Sequence, residues 1–183
     1  MAKAGVKHHP AMVISISGLN DGEYPFSFDE PAAAIGLDDS FEGNVRVSGE
    51  LRKVSTQFFL TGTIVARYAR ACDRCLTDVH REISIPVRLF YGHDLADDSR
   101  SGENDDVETR SIHAEQESIV LDEDVRQTIL LNVPLKTLCS DGCLGICSGC
   151  GTDLNTGRCT CNHGGIDPRW AKLAEVFKKN EEE

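Results

Sequence analysis

Val45, Val47, Gly49 and Leu51 alternate with Asn44, Arg46, Ser48, Glu50 and Arg52, so one apolar face backs one polar face at a period of two. Successive side chains of an extended chain point to opposite faces, and this period predicts a half-buried strand. The alternation returns over residues 79–91, with Ile83, Ile85, Val87 and Leu89 inward and Ser84 and Arg88 outward. Between them, residues 56–71 form a β-rich run carrying Phe58, Phe59, Leu60, Ile64, Val65 and Tyr68. Three long strands with short connections predict an antiparallel meander. Residues 12–17 alternate over a shorter span and predict a first strand, followed by a turn at Gly18-Leu-Asn-Asp-Gly22. Residues 24–28 fit a short edge strand, because Pro25 has no N–H for a ladder. Residues 30–37 fit one helical turn at most.

The period changes after residue 121. Asp122 is an expected helix N-cap, with Glu123 and Asp124 favourable in the first turn. Val125, Ile129 and Leu130 supply the apolar face, and Val133-Pro134 ends the helix. A second helix is expected from Asp167-Pro168, where Trp170, Leu173, Ala174 and Phe177 share one face. The expected fold class is α+β. Residues 12–93 form an antiparallel β-sheet or partly open barrel. Residues 94–117 form an acidic flexible loop. Residues 118–179 hold two short helices and a small cysteine-rich module, packed on the sheet.

Charge sharpens that division. The 183-residue chain carries a formal net charge of −11. Twelve acidic and two basic residues fall between 94 and 124, so the rest is near neutral. Phosphates attract positive charge, and an acidic chain is an unusual RNA binder. No apolar run approaches the ~20 residues that cross a bilayer. No apolar stretch of signal-peptide type follows the first ten residues, which predicts a cytosolic protein. Cytosolic thiols stay reduced, which turns the eight cysteines toward metal rather than disulfides.

Six of those cysteines fall in one stretch, Cys139, Cys143, Cys147, Cys150, Cys159 and Cys161, and the other two are Cys72-Asp-Arg-Cys75. A Cys-x-x-Cys pair presents two thiolates from one short turn, and two such pairs complete a tetrahedral zinc site. Eight thiols divide into two sets of four. One division joins Cys147, Cys150, Cys159 and Cys161, leaving Cys139 and Cys143 to meet Cys72 and Cys75. The other puts both Cys-x-x-Cys pairs on one ion. Loop closure favours the first, because shorter loops lose less entropy. An iron–sulfur cluster uses similar ligands. A thioredoxin-type redox pair fits less well, since it sits at a helix N-terminus and Cys72 and Cys75 lie between strands. His163 lies two residues past Cys161 and could replace a cysteine ligand, but the surface-histidine reading is preferred.

No catalytic constellation is present: there is no Walker loop, nucleophile elbow or dinucleotide fingerprint. All-cysteine sets close a zinc site, whereas catalysis needs an open position. The expectation is therefore a protein without enzymatic activity. Arg67, Arg70, Arg74, Arg81 and Arg88 surround the first cysteine pair, with Arg46, Arg52 and Lys53 on the neighbouring strand. Such a face contacts phosphates if its charge is unopposed. Outward strand positions carry arginine for solubility just as often, and Asp73, Asp78 and Glu82 lie among these.

Cys72-Asp-Arg-Cys75-Leu76 at the end of a β-rich half resembles the Cys-x-Arg-Cys motif of the bacterial large ribosomal RNA subunit accumulation proteins (YceD-like). The run Leu138-Cys139, Cys143-Leu-Gly-Ile-Cys147, Cys150-Gly-Thr-Asp-Leu-Asn155 and Cys159-Thr-Cys161 resembles the same family, as does Asp167-Pro168-Arg169-Trp170. The likeness spans residues 12–177. It implies a non-enzymatic ribosome-biogenesis factor that binds precursor large-subunit ribosomal RNA, a ribosomal protein, or both. It also implies that the C-terminal cysteines are scaffold, and that the Cys72–Cys75 loop is nearer the shared function. A protein-binding adapter unrelated to RNA, baited by the acidic stretch, and a thiol redox protein are the alternatives.

Overall fold

The computed structural model describes residues 10–93, 108–113 and 115–161. A five-stranded sheet runs in the order β2-β3-β4-β5-β6, and a separate two-stranded sheet joins β1 (Val13–Ser15) to β7 (Ser118–Val120). The strands of the large sheet are β2 (Gly22–Pro31), β3 (Phe41–Val54), β4 (Gln57–Ala71), β5 (Asp78–His93) and β6 (Glu108–Ile112). β2 pairs antiparallel with β3, and β3 with β4. The connection 72–77 is far too short for a parallel crossover, so β4 and β5 make a hairpin.

The alternation of the sequence is the reason this sheet forms. Val45, Val47 and Leu51 of β3 are buried, as are Leu60, Ile64 and Ala66 of β4 and Ile85, Val87 and Leu89 of β5. Their outward neighbours Arg46, Ser48, Glu50, Thr61, Thr63 and Arg88 are exposed. Fully burying each large aliphatic side chain contributes about 1.5–3 kcal/mol. β2 is an edge strand, and it is longer than residues 24–28. Pro25 and Pro31 lie on it, where missing N–H groups blunt further pairing. Gly49 and Gly62 face each other across β3 and β4, and Phe26 on β2 lies opposite Gly49. A side chain at Gly49 has no room: its Cβ would meet the Thr61 carbonyl and come within 2.6 Å of Gly62 Cα.

Three expectations change. First, the sheet is mixed rather than wholly antiparallel, because β6 pairs parallel with β5 from Leu89↔Glu108 to His93↔Ile112. A parallel partner needs a long return, and residues 94–107 supply the length. β6 lies within the stretch read as an acidic loop. Its sequence, Glu-Thr-Arg-Ser-Ile, shows no apolar alternation, but Ile112 is buried. Second, β1 (Val13–Ser15) leaves the meander and pairs antiparallel with β7 (Ser118–Val120). Third, Asp122 is not the N-cap of α1 (Asp122–Asn132). Leu121 holds that position, and no side chain caps the helix. The Asp122 carboxylate instead accepts the backbone N–H groups of Ala11 and Met12, at 2.9 and 2.7 Å.

Residues Ala32–Ile35 form one 3-10 turn, as the weak period there allows. α1 buries Val125 and Ile129, while Leu130 is exposed. It is the one α-helix among the described residues; the second expected helix and His163 lie outside them. No described helix is long and apolar enough to cross a membrane.

The chain divides into two compact units. One comprises Met1–Arg70 with Asp78–Thr137, and the other Ala71–Thr77 with Leu138–Glu183. α1 thus belongs with the β unit rather than with the cysteine-rich segment, because its apolar side chains are in that core. The loop that carries Cys72 and Cys75 belongs with the cysteine-rich unit.

Candidate metal centres and the charged sheet face

The cysteine-rich unit is built on two turns of the same design. Cys72-Asp-Arg-Cys75-Leu76-Thr77 and Cys147-Ser-Gly-Cys150-Gly151-Thr152 share their hydrogen bonds position by position. The Leu76 N–H donates to Cys72 O, and the Gly151 N–H to Cys147 O, both at 2.9 Å. The Cys72 N–H donates to Thr77 O, and the Cys147 N–H to Thr152 O, both at 2.8 Å. The residue after the second cysteine is left-handed in each, Leu76 at φ 63° and Gly151 at φ 74°. Each turn closes on itself and points two sulfurs the same way.

Two further pairs complete the sets. Cys72, Cys75, Cys139 and Cys143 bring four sulfurs within 4.8 Å of one another, and so do Cys147, Cys150, Cys159 and Cys161. This is the division that loop closure favoured. Cys72 and Cys143 sulfurs are 3.8 Å apart, Cys75 and Cys139 3.5 Å. In the second set Cys150 and Cys159 are 3.6 Å apart, Cys147 and Cys159 3.2 Å. A disulfide bond is about 2.05 Å long, and none of the eight is in one. A tetrahedron of zinc–sulfur bonds near 2.3 Å has edges of about 3.8 Å. The donor sets therefore fit a tetrahedral thiophilic dication in both number and spacing.

The thiols' proton affinities point the same way. Cys72 is pulled down to about 6, first by the backbone N–H of Cys75 and then by that of Arg74. Cys150 is pulled down to about 6 by the Thr152 hydroxyl and backbone. Cys139 is pushed up to about 12 by Cys143 and Cys75, and Cys161 to about 12 by Cys150 and Cys159. The folded turns thus lower both of their own thiols, Cys75 with Cys72 and Cys147 with Cys150, while Cys139, Cys159 and Cys161 beside them resist further negative charge. A dication removes that resistance.

Residues beyond the cysteines support the sulfurs. The Thr77 hydroxyl lies 3.4 Å from Cys75 Sγ and the Thr152 hydroxyl 3.1 Å from Cys150 Sγ. Asn155 Nδ2 reaches Cys143 Sγ at 3.5 Å, and its Oδ1 accepts the Leu144 N–H. Arg74 Nη1 donates to Cys143 O at 2.7 Å. Sequence reading named only the cysteines; the repeated Cys-x-x-Cys-x-Thr was the visible signal for the two threonines. The sets differ in exposure. Cys72, Cys75 and Cys143 are buried, whereas Cys150 and Cys161 are exposed.

The expected arginine face lies in the β unit, except for Arg74. Its cations are interleaved with acids. Across β2 and β3, Arg46 stands opposite Asp29 and Arg52 opposite Glu23. Arg67 stands opposite Glu42 and bonds Glu82 at 2.9 Å. His80 lies 3.0 Å from Glu42, whose hydrogen bond raises its pKa. Arg70, Arg81 and Arg88 are exposed.

Residues 60–177 match the family described as large ribosomal RNA subunit accumulation protein YceD. An uncharacterized protein of Mycobacterium leprae is 29% identical over 150 residues, which cover 79% of this chain and 66% of that protein. Uncharacterized proteins of Mycobacterium bovis and Mycobacterium tuberculosis are 27% identical over 164 residues, 80% of this chain and 76% of theirs. No solved structure matches.

Proposed function

Because the chain belongs to the large ribosomal RNA subunit accumulation protein family, we propose that it supports the synthesis, processing or accumulation of large-subunit ribosomal RNA in the cytosol by binding rather than by catalysis. One observation carries the binding reading: all eight thiols are used in two compact four-sulfur sets, two from the turn between β4 and β5 and six from residues 139–161. A four-thiolate site has no open position for substrate. Zinc, when bound, supplies cross-links between loops. Cys72, Cys75, Cys139 and Cys143 would hold one ion, and Cys147, Cys150, Cys159 and Cys161 the other. The residues around them position sulfur and neutralise charge.

The proposed partner is a basic ribosomal protein on its way to the precursor RNA. The net charge of −11 favours it. So does the sheet face, where the cross-strand acids beside Arg46, Arg52 and Arg67 weaken its attraction for phosphate. The exposed Arg70, Arg81 and Arg88 favour a second reading, direct contact with precursor RNA.

Purification of the tagged chain from cells, with and without ribonuclease, tests this. Large-subunit precursor RNA and ribosomal proteins are expected to co-purify, with a ribosomal protein retained after ribonuclease. Loss of all partners on ribonuclease treatment selects the RNA reading. No enrichment of large-subunit components over an untagged control contradicts both.

A further inference from the structure

Among the described residues, the outward carboxylates of β2 and β3 are each matched by an arginine, with one exception. Glu23, Asp29 and Glu42 each have an arginine directly across a strand pair, and Glu82 bonds Arg67. Glu50 has Pro25 on one side and Thr61 on the other. It lines a groove of about 470 Å³ with Glu23, Arg52, Val54, Phe59 and Thr61. Two carboxylates and one guanidinium give that groove a net negative charge. Its apolar lining is displayed: Val54 is 42% and Phe59 38% exposed. The Phe59 ring packs on Phe90, centroids 4.9 Å apart at 46°, which fixes the ring.

We infer that this groove takes an arginine side chain from a basic segment of a partner protein, its guanidinium on the Phe59 ring and its charge against Glu50. A guanidinium is planar, weakly hydrated and suited to stacking on an aromatic face while bonding a carboxylate. A phosphate is repelled by the same pair of carboxylates. An unpaired base can stack on Phe59, but the groove opposes the backbone that would bring it there. The inference rests on the protein-partner reading above and names the site for it.

Fluorescence anisotropy on the full chain tests it, using a labelled decapeptide carrying arginines, its lysine counterpart and a labelled single-stranded oligoribonucleotide. The arginine peptide is expected to bind the wild type more tightly than the lysine peptide. Glu50→Gln and Phe59→Ala are each expected to weaken it about 2–5-fold. Phe59→Leu keeps the apolar contact but not the aromatic face, so it should weaken binding similarly even if Phe59→Ala perturbs the fold. Glu115→Gln, outside the groove, should change nothing. Equal affinity in wild type, Glu50→Gln and Phe59→Leu overturns the inference. So does displacement of the peptide by the oligoribonucleotide. The same variants purified from cells separate the two levels. Unaltered large-subunit association in Glu50→Gln and Phe59→Leu removes the groove and leaves the proposed function standing, whereas no association of the wild type removes the function itself.

Discussion

Leu76 occupies, at φ 63°, the position that Gly151 occupies at φ 74° in the second cysteine turn. A left-handed backbone costs a residue with a side chain roughly 1–2 kcal/mol, and glycine almost nothing. Leu76 offsets little of this by burial, since the residue is 64% exposed. Leu76→Gly is therefore expected to be more stable than Leu76→Ala by about 1 kcal/mol, because alanine keeps the strain. Denaturant midpoints of the metal-loaded proteins check this. An alanine variant as stable as the glycine variant contradicts it.

The two sulfur sets should give up metal at different rates. Cys72 is 0% and Cys143 2% exposed, whereas Cys150 and Cys161 face solvent. A chelator must reach the ion to exchange it. Release monitored with a chromogenic chelator should show two phases of equal amplitude. Cys161→Ser should abolish the fast phase and spare the slow one. A single phase, or loss of the slow phase in that variant, contradicts the assignment.

Acid should strip the metal. Zinc takes each ligand as a thiolate, so binding at neutral pH drives protons off Cys139 and Cys161, which are otherwise held up to about 12. Lowering the pH returns those protons. Near about 6 even Cys72 and Cys150 begin to protonate. Both sign and window follow: metal retention falls as pH falls, most steeply below about 6. Zinc retained after buffer exchange at stepped pH measures it, and affinity independent of pH contradicts it.

Gly49→Ala should be among the most damaging single substitutions in the sheet. Its Cβ meets backbone atoms of Thr61 and Gly62, which cannot swing aside as a side-chain end can. Strands β3 and β4 must part, at a cost on the order of 1–3 kcal/mol. Exposed Ser48→Ala on the same strand should change stability by less than about 0.5 kcal/mol. Thermal melts of the two variants compare them directly.

What the sequence revealed depended on local periodicity. β3, β4 and β5 were legible because Val45, Val47, Leu51, Ile85, Val87 and Leu89 alternate over long spans. β6 was not, because its buried Ile112 carries no period and its pairing with β5 is set by a distant chain return. Asp122 looked like a cap from its neighbours alone. Its actual hydrogen bonds go to Ala11 and Met12, more than a hundred positions away. The division of the cysteines followed from loop entropy. The acids opposite Arg46, Arg52 and Arg67 were not legible, because Asp29, Glu23 and Glu42 are distant from them in sequence and adjacent in the sheet.

X-ray absorption at the zinc edge, with metal analysis of the same sample, tests the two-centre account most directly. The account predicts two zinc ions per chain, each with four sulfur neighbours near 2.3 Å. It predicts one ion per chain in Cys72→Ser and one in Cys150→Ser. Fewer than two ions in the wild type, nitrogen or oxygen in the first coordination sphere, or loss of both ions from either variant would contradict it.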